Sequence, residues 1–292
     1  MRSPRPFDRR RALAALGTLP FAAGALAQSW EPPPSADGGP YVPTPWAVLD
    51  EMLKLGDIGA NDTVYDLGSG DGRLVIAAAE RYGARGVGVE RQGDLVVYSR
   101  ALAERRGVAD RVKFVEGDVL EADVRGATVV MMYLLPRLFD RLVPKLRAEL
   151  PAGARIVSHD YPLDPWRADK TLIFDVEEKL AIRGTTETKL FYYLVPSRIG
   201  GRWLLEIGAP FAYDPTPLAI EQTPEQLEAT VLLDGRSSEV RVLKVRADEI
   251  RFVLLHRGRL LEFTGRVAGG VMSGEVQGQG ARGRWSARAV HD

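Results

Sequence analysis

The 292-residue chain contains no cysteine and only three histidines, so it has few of the side chains that bind soft metals. Without cysteine it forms neither a disulfide bond nor a thiolate metal site. The histidines, His159, His256 and His291, are widely separated in the sequence, which argues against a zinc site. The sequence therefore predicts no bound metal, and cysteine usage leaves the redox compartment open.

The chain also lacks an excess of charge of either sign. Its 39 basic and 39 acidic side chains give a formal net charge of zero. Domains that bind nucleic acid usually carry a basic excess, so this balance gives no support for a nucleic-acid partner. With 45% hydrophobic residues, the chain is long enough to bury one large core or two smaller ones.

The N-terminus consists of a basic segment followed by an apolar one. Five arginines precede residue 12, residues 12–24 are mostly apolar, and small residues precede Gln28, as in a secretory signal. The stretch RRRALAAL is similar to a twin-arginine export signal. The apolar run is shorter than the ~20 residues that span a bilayer, so no integral membrane segment is expected after signal removal. Residues 1–27 thus predict an exported, periplasmic protein; the alternatives are an uncleaved anchor or a mis-assigned start.

The remaining chain divides into three parts. Residues 28–40 are rich in proline and glycine and predict an extended linker. Strand and helix patterns alternate over residues 41–198 and close with two strands, which predicts a doubly wound α/β sheet with an antiparallel last strand. Over residues 199–292, short strands recur about every ten residues, with glycines between them, which predicts a small all-β antiparallel barrel or sandwich. We expect this last domain to stabilise the protein or bind a partner.

The most informative stretch runs from Thr63 to Glu90. It contains a short apolar strand, the glycine turn DLGSGDG, a helix and a second strand that ends at Glu90. Glycine at such a turn lets backbone N–H groups approach a ligand without interference from a Cβ atom. Ligands of open parallel sheets bind at the carboxyl ends of the strands, so the turn and Glu90 should face one crevice.

This stretch resembles the S-adenosylmethionine (SAM) site of class I methyltransferases more than a nicotinamide site. The turn is G-S-G-D-G instead of G-x-G-x-x-G, Asp66 precedes it, and acidic and apolar residues follow a later strand at 116–119. The resemblance implies that SAM is the cofactor. It also implies that Gly68 and Gly70, with Ser69 between them, surround the amino-acid end of SAM.

The polar groups of SAM suggest the other contacts. Glu90 is placed to accept hydrogen bonds from both ribose hydroxyls. Asp118 is placed to accept from the adenine amino group, with the N–H of Val119 near a ring nitrogen, and Asp66 would engage the ammonium directly or through water. The alternatives are an exposed strand-end carboxylate for Glu90 and a simple turn residue for Asp118.

Longer stretches support a narrower resemblance. YVPTP at 41–45, GVGVE at 86–90, VVMMYLLP at 129–136 and LPAGARIVSHDYPLDPW at 150–166 occur in this order in a family of small protein-lysine methyltransferases. The family includes the mitochondrial enzymes that act on the ATP synthase c subunit and on the adenine nucleotide translocase, together with bacterial relatives. The resemblance covers residues 41–166.

This family resemblance implies roles for two further segments. Tyr41, Pro43 and Thr44 would close over SAM, and residues 133–136 would lie beside the transferred methyl group. Tyr133 would be the catalytic residue that orients or stacks against a lysine amine. The alternatives are a rigid turn before a helix, with Thr44 as its N-cap, and a buried aromatic residue at a strand end for Tyr133.

The predicted function is SAM-dependent methyl transfer to an acceptor, which the resemblance implies is a protein lysine. One alternative is a small-molecule or lipid methyltransferase, and another is a non-catalytic exported relative that acts as a binding module. The export signal conflicts with the cytosolic supply of SAM, although a folded protein exported by the twin-arginine route carries its bound ligand with it. The sequence does not specify the oligomeric state.

Overall fold

A seven-stranded mixed sheet forms the first domain. The computed structural model describes residues 41–211 and 213–290; the predicted signal and linker lie outside these described residues. The elements of this domain, in chain order, are α1 (Trp46–Leu55), β1 (Thr63–Leu67), α2 (Arg73–Tyr82), β2 (Arg85–Glu90), α3 (Gly93–Arg105), β3 (Val112–Glu116), β4 (Val129–Met132), α4 (Phe139–Glu149), β5 (Arg155–His159), β6 (Lys170–Asp175), α5 (Glu178–Arg183) and β7 (Glu187–Leu194). The strand order is β3-β2-β1-β4-β5-β7-β6, in which β7 runs antiparallel to both its neighbours and β1 to β5 are parallel.

Helices cover both faces of this sheet, and β4 shows why. All four of its residues are buried, and neighbouring side chains point to opposite faces. Val129 and Met131 join the apolar cluster that contains α1 and α2, whereas Val130 and Met132 join the cluster that contains α4. A continuous apolar strand is expected where both faces of a parallel sheet are buried. The fold therefore has the Rossmann-like α/β core predicted from the alternating pattern.

One predicted strand is wrong in its second half. The sequence pattern predicts a strand over residues 171–180, but β6 ends at Asp175 and the short helix α5 follows. Charged residues begin the helix, and Gly184 ends it in a left-handed conformation, with a φ of 71°. Leu180, which suggested a continuing strand, is 56% exposed. Helix α5 is therefore an insertion between the paired strands β6 and β7.

The second domain is a closed antiparallel barrel, which decides between the two predicted all-β architectures. Its strands are β8 (Gly201–Ile207), β9 (Tyr213–Gln222), β10 (Leu227–Leu233), β11 (Arg236–Arg246), β12 (Glu249–His256), β13 (Arg259–Ala268), β14 (Val271–Gly278) and β15 (Ala281–Ala289). Each pairs with the next, and β15 closes on β8. Aromatic side chains fill the interior: Phe252 stacks on Phe263 with ring centroids 4.3 Å apart, and Trp285 meets both rings edge-on.

Strand β9 is not among the strands that the sequence pattern predicts over residues 199–292, and it contains Pro215 and Pro217. Proline cannot donate to a strand ladder and usually argues against a central strand. The strand forms because its alternate residues Thr216, Leu218 and Ile220 are buried, while the prolines between them are exposed. Burial of one face thus overrides the local penalty of two prolines.

The barrel contacts the first domain at the edge of the sheet where the parallel strands begin. The Arg147 guanidinium, near the end of α4, donates to the carbonyl of Thr223 at 3.2 Å. Just after β7, the Ser197 N–H donates to the carbonyl of Ala247 at 2.7 Å. This edge is opposite the carboxyl ends of the parallel strands. None of the helices in the described ranges is long and apolar enough to cross a bilayer.

Candidate active site

A cavity of about 290 Å³ lies at the carboxyl ends of the parallel strands, close to the smallest volumes typical of small-molecule sites. The residues predicted from sequence that line it are Tyr41, Thr44, Asp66, Gly68, Ser69, Glu90, Asp118, Val119 and Tyr133. Gly70 lies beside it and contributes a backbone hydrogen bond. No barrel residue is among those that line this cavity. The fold therefore brings the predicted residues to one place, at the edge of the sheet opposite the barrel.

The glycine turn is a backbone surface that a side chain would block. Gly68 and Gly70 have φ angles of 82° and 53°, in the left-handed region that favours glycine. A Cβ atom on Gly70 would lie 2.2 Å from Cε2 of Tyr41, so the Tyr41 ring packs directly on the turn. Ser69 is buried, and its hydroxyl has no hydrogen-bond partner among the described residues. The turn therefore presents its backbone at the cavity, and Ser69 is among the residues that line it.

Glu90 is buried and held from both sides. Its Oε2 accepts the Gly70 N–H at 2.8 Å, and its Oε1 accepts the Gln92 N–H at 3.0 Å. A carboxylate has about four lone-pair positions, so both oxygens keep capacity for a ligand. Because Glu90 is only 8% exposed, it is not the exposed strand-end carboxylate considered above; its neighbour in register, Glu116, is exposed. The arrangement suits a ligand with two neighbouring hydroxyls.

Asp66 places a buried carboxyl group at the cavity. It is 6% exposed, and its pKa is raised well above the ordinary value, first by burial and then by the nearby Glu90 and Asp71. Asp71 is itself paired with Arg73, whose guanidinium reaches both carboxylate oxygens at 2.6 to 3.0 Å. A cationic ligand group beside Asp66 would relieve this repulsion.

Asp118 combines both of the roles considered for it. Its Oδ1 accepts the Leu120 N–H at 2.9 Å, which makes a turn after β3, and its backbone carbonyl accepts from Glu121 and Ala122. The side chain is exposed at the cavity, while Val119 is buried. The carboxylate therefore has an oxygen available for a ligand amino group.

Residues 41–44 cover the cavity and are fixed by Arg73. The Arg73 guanidinium donates to the carbonyl of Thr44 at 3.0 Å and lies 5.1 Å from the ring centroid of Trp46. Tyr41 lies beside Asp71 and Arg73, and burial is the main reason that its pKa is raised. The suggested N-cap role of Thr44 is wrong: α1 is capped by Pro45, which has no side chain to accept a hydrogen bond from the helix N–H groups.

Aromatic side chains line the other half of the cavity. The Tyr133 hydroxyl lies 3.3 Å from Oδ2 of Asp160, to which it donates. Its ring is 3.9 Å from the His159 ring and stacks on Tyr161 at 6.5 Å, measured between centroids. Burial and Asp160 raise the pKa of Tyr133 to about 12, so the phenol is neutral at ordinary pH. Leu134, Leu135, Arg137 and Leu138 complete this wall.

Behind these rings lies a set of charged groups that sequence reasoning missed. Lys179 pairs with Asp160, and Arg183 donates to the Tyr161 hydroxyl. His159 is fully buried, and its burial lowers its pKa to about 4, so its imidazole is neutral; neither ring nitrogen has a hydrogen-bond partner in the described part of the chain. The motif SHDYPLDPW contains the aromatic and acidic members, whereas both cations lie on α5, within and just after the segment predicted as a strand.

Similarity to known proteins identifies the family. Residues 66–170 match the ANTKMT methyltransferase domain. A protein-lysine N-methyltransferase of Saccharolobus islandicus is 40% identical over 134 residues, which make up 46% of this chain and 83% of that protein. The chain belongs to this family. The predicted SAM-dependent methyltransferase activity is thereby confirmed, and so is the cofactor.

Other relatives cover less of their own length. The mouse adenine nucleotide translocase lysine N-methyltransferase is 36% identical, over 44% of this chain and 56% of that protein. A human lysine N-methyltransferase named for the ATP synthase c subunit is 35% identical, over 44% of this chain and 55% of that protein. The chain therefore spans little more than half of these two relatives. A solved RNA methyltransferase from Salinibacter ruber, in complex with S-adenosyl-L-homocysteine, is 45% identical, with a TM-score of 0.49, over 54% of this chain and 96% of that one.

The cavity of this methyltransferase has the groups that SAM requires. SAM carries an ammonium and a sulfonium, and the buried carboxyl group of Asp66 at the cavity could accept a hydrogen bond from the ammonium. Its hydroxyls need acceptors, which Glu90 provides, and the unpartnered Ser69 hydroxyl and the side-chain-free surface of Gly70 suit its amino-acid end. The residues present therefore fit this cofactor.

Proposed function

We propose that this methyltransferase transfers the methyl group of SAM to the side-chain amine of a lysine in a protein. The observation that carries the proposal is the Tyr133 hydroxyl, which lies between the cavity and Asp160 on the wall opposite the carboxylates. Three relatives are named as lysine N-methyltransferases, which supports the same acceptor.

The cofactor-side residues have separate tasks in this proposal. Asp66 would hold the ammonium, Glu90 the ribose hydroxyls and Asp118 the adenine amino group, with Val119 beside the ring. Tyr41 and Thr44, fixed by Arg73, would exclude water above them. When bound, SAM supplies a methyl group on a positively charged sulfur, which requires a neutral amine as its acceptor.

The acceptor side is arranged to position such an amine. The rings of Tyr133 and Tyr161 would favour the positive charge that develops on the acceptor nitrogen as the methyl group is transferred. The phenol oxygen of Tyr133 keeps lone pairs for an acceptor N–H, because its own hydrogen is donated to Asp160. Orientation of this kind supplies much of the rate enhancement when the methyl group is already activated. The Arg183 guanidinium at the cavity wall favours the neutral form of a nearby amine.

The domain limits and the localisation belong to the same proposal. We assign methyl transfer to residues 41–198 and a stabilising or partner-binding role to the barrel at 199–292. The barrel's contacts at the far edge of the sheet support this division. The basic and apolar segments of residues 1–27 support export of the protein to the periplasm.

The decisive test is a methyl-transfer assay on purified protein beginning at Gln28. SAM binding is first measured by calorimetry, and labelled SAM is then supplied with a cell extract. We expect the label on lysine residues of protein. Label in a solvent-extractable product would indicate a small-molecule or lipid acceptor, and label in RNA would indicate a nucleic acid. SAM binding without any transfer would favour the non-catalytic binding module.

A further inference from the structure

A buried lysine lies directly behind the acceptor wall. Lys179 is 3% exposed, and its ammonium is bonded to the Asp160 carboxylate, the Glu187 carbonyl and the Thr188 hydroxyl. These three partners use all three of its N–H donors. A buried, fully bonded ammonium is costly to desolvate, so such a pair is weak evidence for stability and invites a functional explanation.

Asp160 is held between this lysine and the active site. It follows β5 directly, with a φ of 64°, a left-handed conformation in which aspartate is tolerated better than most residues. Its Oδ1 accepts from Lys179 and its Oδ2 from the Tyr133 hydroxyl. The backbone N–H of Asp160 also donates to the Lys189 carbonyl at 2.7 Å. The carboxylate therefore connects an interior cation to a phenol at the cavity.

The Asp160 carboxylate, to which Lys179 is bonded, sets the orientation of the Tyr133 hydroxyl. An ionised carboxylate only accepts hydrogen bonds, so Tyr133 has to donate its single hydrogen to Asp160. A neutral group in place of the carboxylate would allow the opposite direction, with the Tyr133 oxygen as acceptor and its hydrogen towards the substrate. The 3.3 Å distance is longer than a strong O–H···O bond, and such bonds often tighten when substrate binds.

We propose that Lys179 is a positioning residue for methyl transfer, acting through Asp160 to keep the Tyr133 lone pairs directed at the acceptor amine. The inference rests on the proposed function, because it assigns Tyr133 to the acceptor side. It also gives a role to α5, the helix inserted between β6 and β7. The match to the family domain ends at residue 170, before this helix.

A double-mutant cycle tests this connection. Lys179→Met and Tyr133→Phe are each expected to lower kcat about tenfold, and the double variant about tenfold as well, because Lys179 acts only through the hydrogen bond that Tyr133→Phe removes. SAM affinity should stay within about twofold in all three, since none contacts the cofactor wall. Lys145→Met is the matched control: Lys145 forms a partly buried pair with Glu149 on α4, at 2.6 Å and away from the cavity. It should leave kcat unchanged.

Lys179→Met leaves the buried carboxylate of Asp160 without its cation, which could destabilise the fold. A second variant without this unpaired charge therefore tests the same connection. Asp160→Asn/Lys179→Met removes both charges and retains a residue that tolerates the left-handed backbone. We expect it to fold and to match Tyr133→Phe in kcat. A hundredfold loss in the Lys179→Met/Tyr133→Phe double variant, or a parallel loss of SAM affinity, would overturn the positioning role.

The outcome is separable from that of the proposed function. If the wild-type protein methylates an acceptor other than lysine, the proposed function fails, and the same cycle on that acceptor still tests Lys179. If no transfer occurs, the melting temperatures of the four proteins in the cycle provide the readout. Non-additive shifts would support the coupling of Lys179 to Tyr133 through Asp160, and additive shifts would refute it.

Discussion

The two halves of the crevice are built in different ways. The cofactor half is made of carboxylates and backbone, with Asp66, Glu90 and the glycine turn close together in the sequence. The acceptor half is made of aromatic side chains at the ends of β4 and β5, supported from behind by the cations of α5. The cofactor half combines the buried carboxyl groups of Asp66 and Glu90 with an Asp71–Arg73 ion pair, whereas the acceptor half combines aromatic rings with the Lys179–Asp160 ion pair.

This difference predicts which substitutions should weaken SAM binding and which should lower turnover. Damage to the cofactor half should weaken SAM binding, because its groups are the ones that we propose bind the cofactor. Damage to the acceptor half should lower turnover or stability and spare SAM affinity. An acceptor-half variant that weakens SAM binding would show that the two halves act as one unit.

The largest effect is expected for Gly70→Ala. The new Cβ would lie 2.2 Å from the Tyr41 ring, so the ring must move and uncover the cofactor. We expect SAM affinity to fall about 100-fold, a size typical of overpacking at a closed contact. Calorimetric titration of SAM measures it.

Gly107→Ala is the control that distinguishes the effect of the Tyr41 contact from the effect of backbone strain. Gly107 has a φ of 68°, similar to that of Gly70, but a Cβ atom added there would meet nothing within 4 Å beyond its chain neighbours. Both substitutions should cost roughly 1–2 kcal/mol of stability because both force a left-handed residue. Equal losses of SAM affinity in the two variants would show that strain, and not the Tyr41 contact, is responsible.

Glu90→Ala should weaken SAM binding by about 1–3 kcal/mol, because buried ligand hydroxyls lose their acceptor. Glu116→Ala is the matched control, since Glu116 occupies the corresponding strand-end position on β3 and is exposed. Titration of SAM into both variants measures the difference. Unchanged affinity in Glu90→Ala would remove this residue from the cofactor half.

The contribution of the acceptor half to the stability of the protein should decrease at acidic pH. Burial lowers the pKa of His159 from 6.5 to about 4, so below pH 6.5 the unfolded chain takes up a proton that the folded protein excludes. Stability is therefore complete above pH 6.5 and is lost as the pH falls towards 4, by roughly 2 kcal/mol between pH 7 and pH 5.

Denaturant unfolding of the wild type and His159→Phe at the two pH values checks this contribution. The phenylalanine keeps a ring against Tyr133 but cannot be protonated, so the variant should lose less stability on acidification. An equal loss in both proteins would assign the acid sensitivity to other groups.

Local sequence patterns were sufficient to predict much of the fold and the residues of the cofactor half. Asp66, Gly68, Gly70 and Glu90 lie on one strand–turn–helix–strand unit, so their spacing alone brings them to one edge of a parallel sheet. The repeated short strands predicted an all-β domain for a similar reason, since pairing of neighbours along the chain is local. The missing strand β9 shows the limit, because its burial depends on partners that outweigh its prolines.

The α/β order, the all-β domain and the SAM motif could be predicted without a structure, because each follows from periodicity or from residues adjacent in the chain. Closure of the all-β domain into a barrel, and its contact with the edge of the sheet opposite the crevice, became clear only from the fold. The fold also shows that Arg73 fixes Thr44 and that Lys179 reaches Asp160 from an inserted helix. These contacts join residues 19 to 29 positions apart, and the direction of a buried side chain is set by the surrounding packing instead of by its neighbours in the chain.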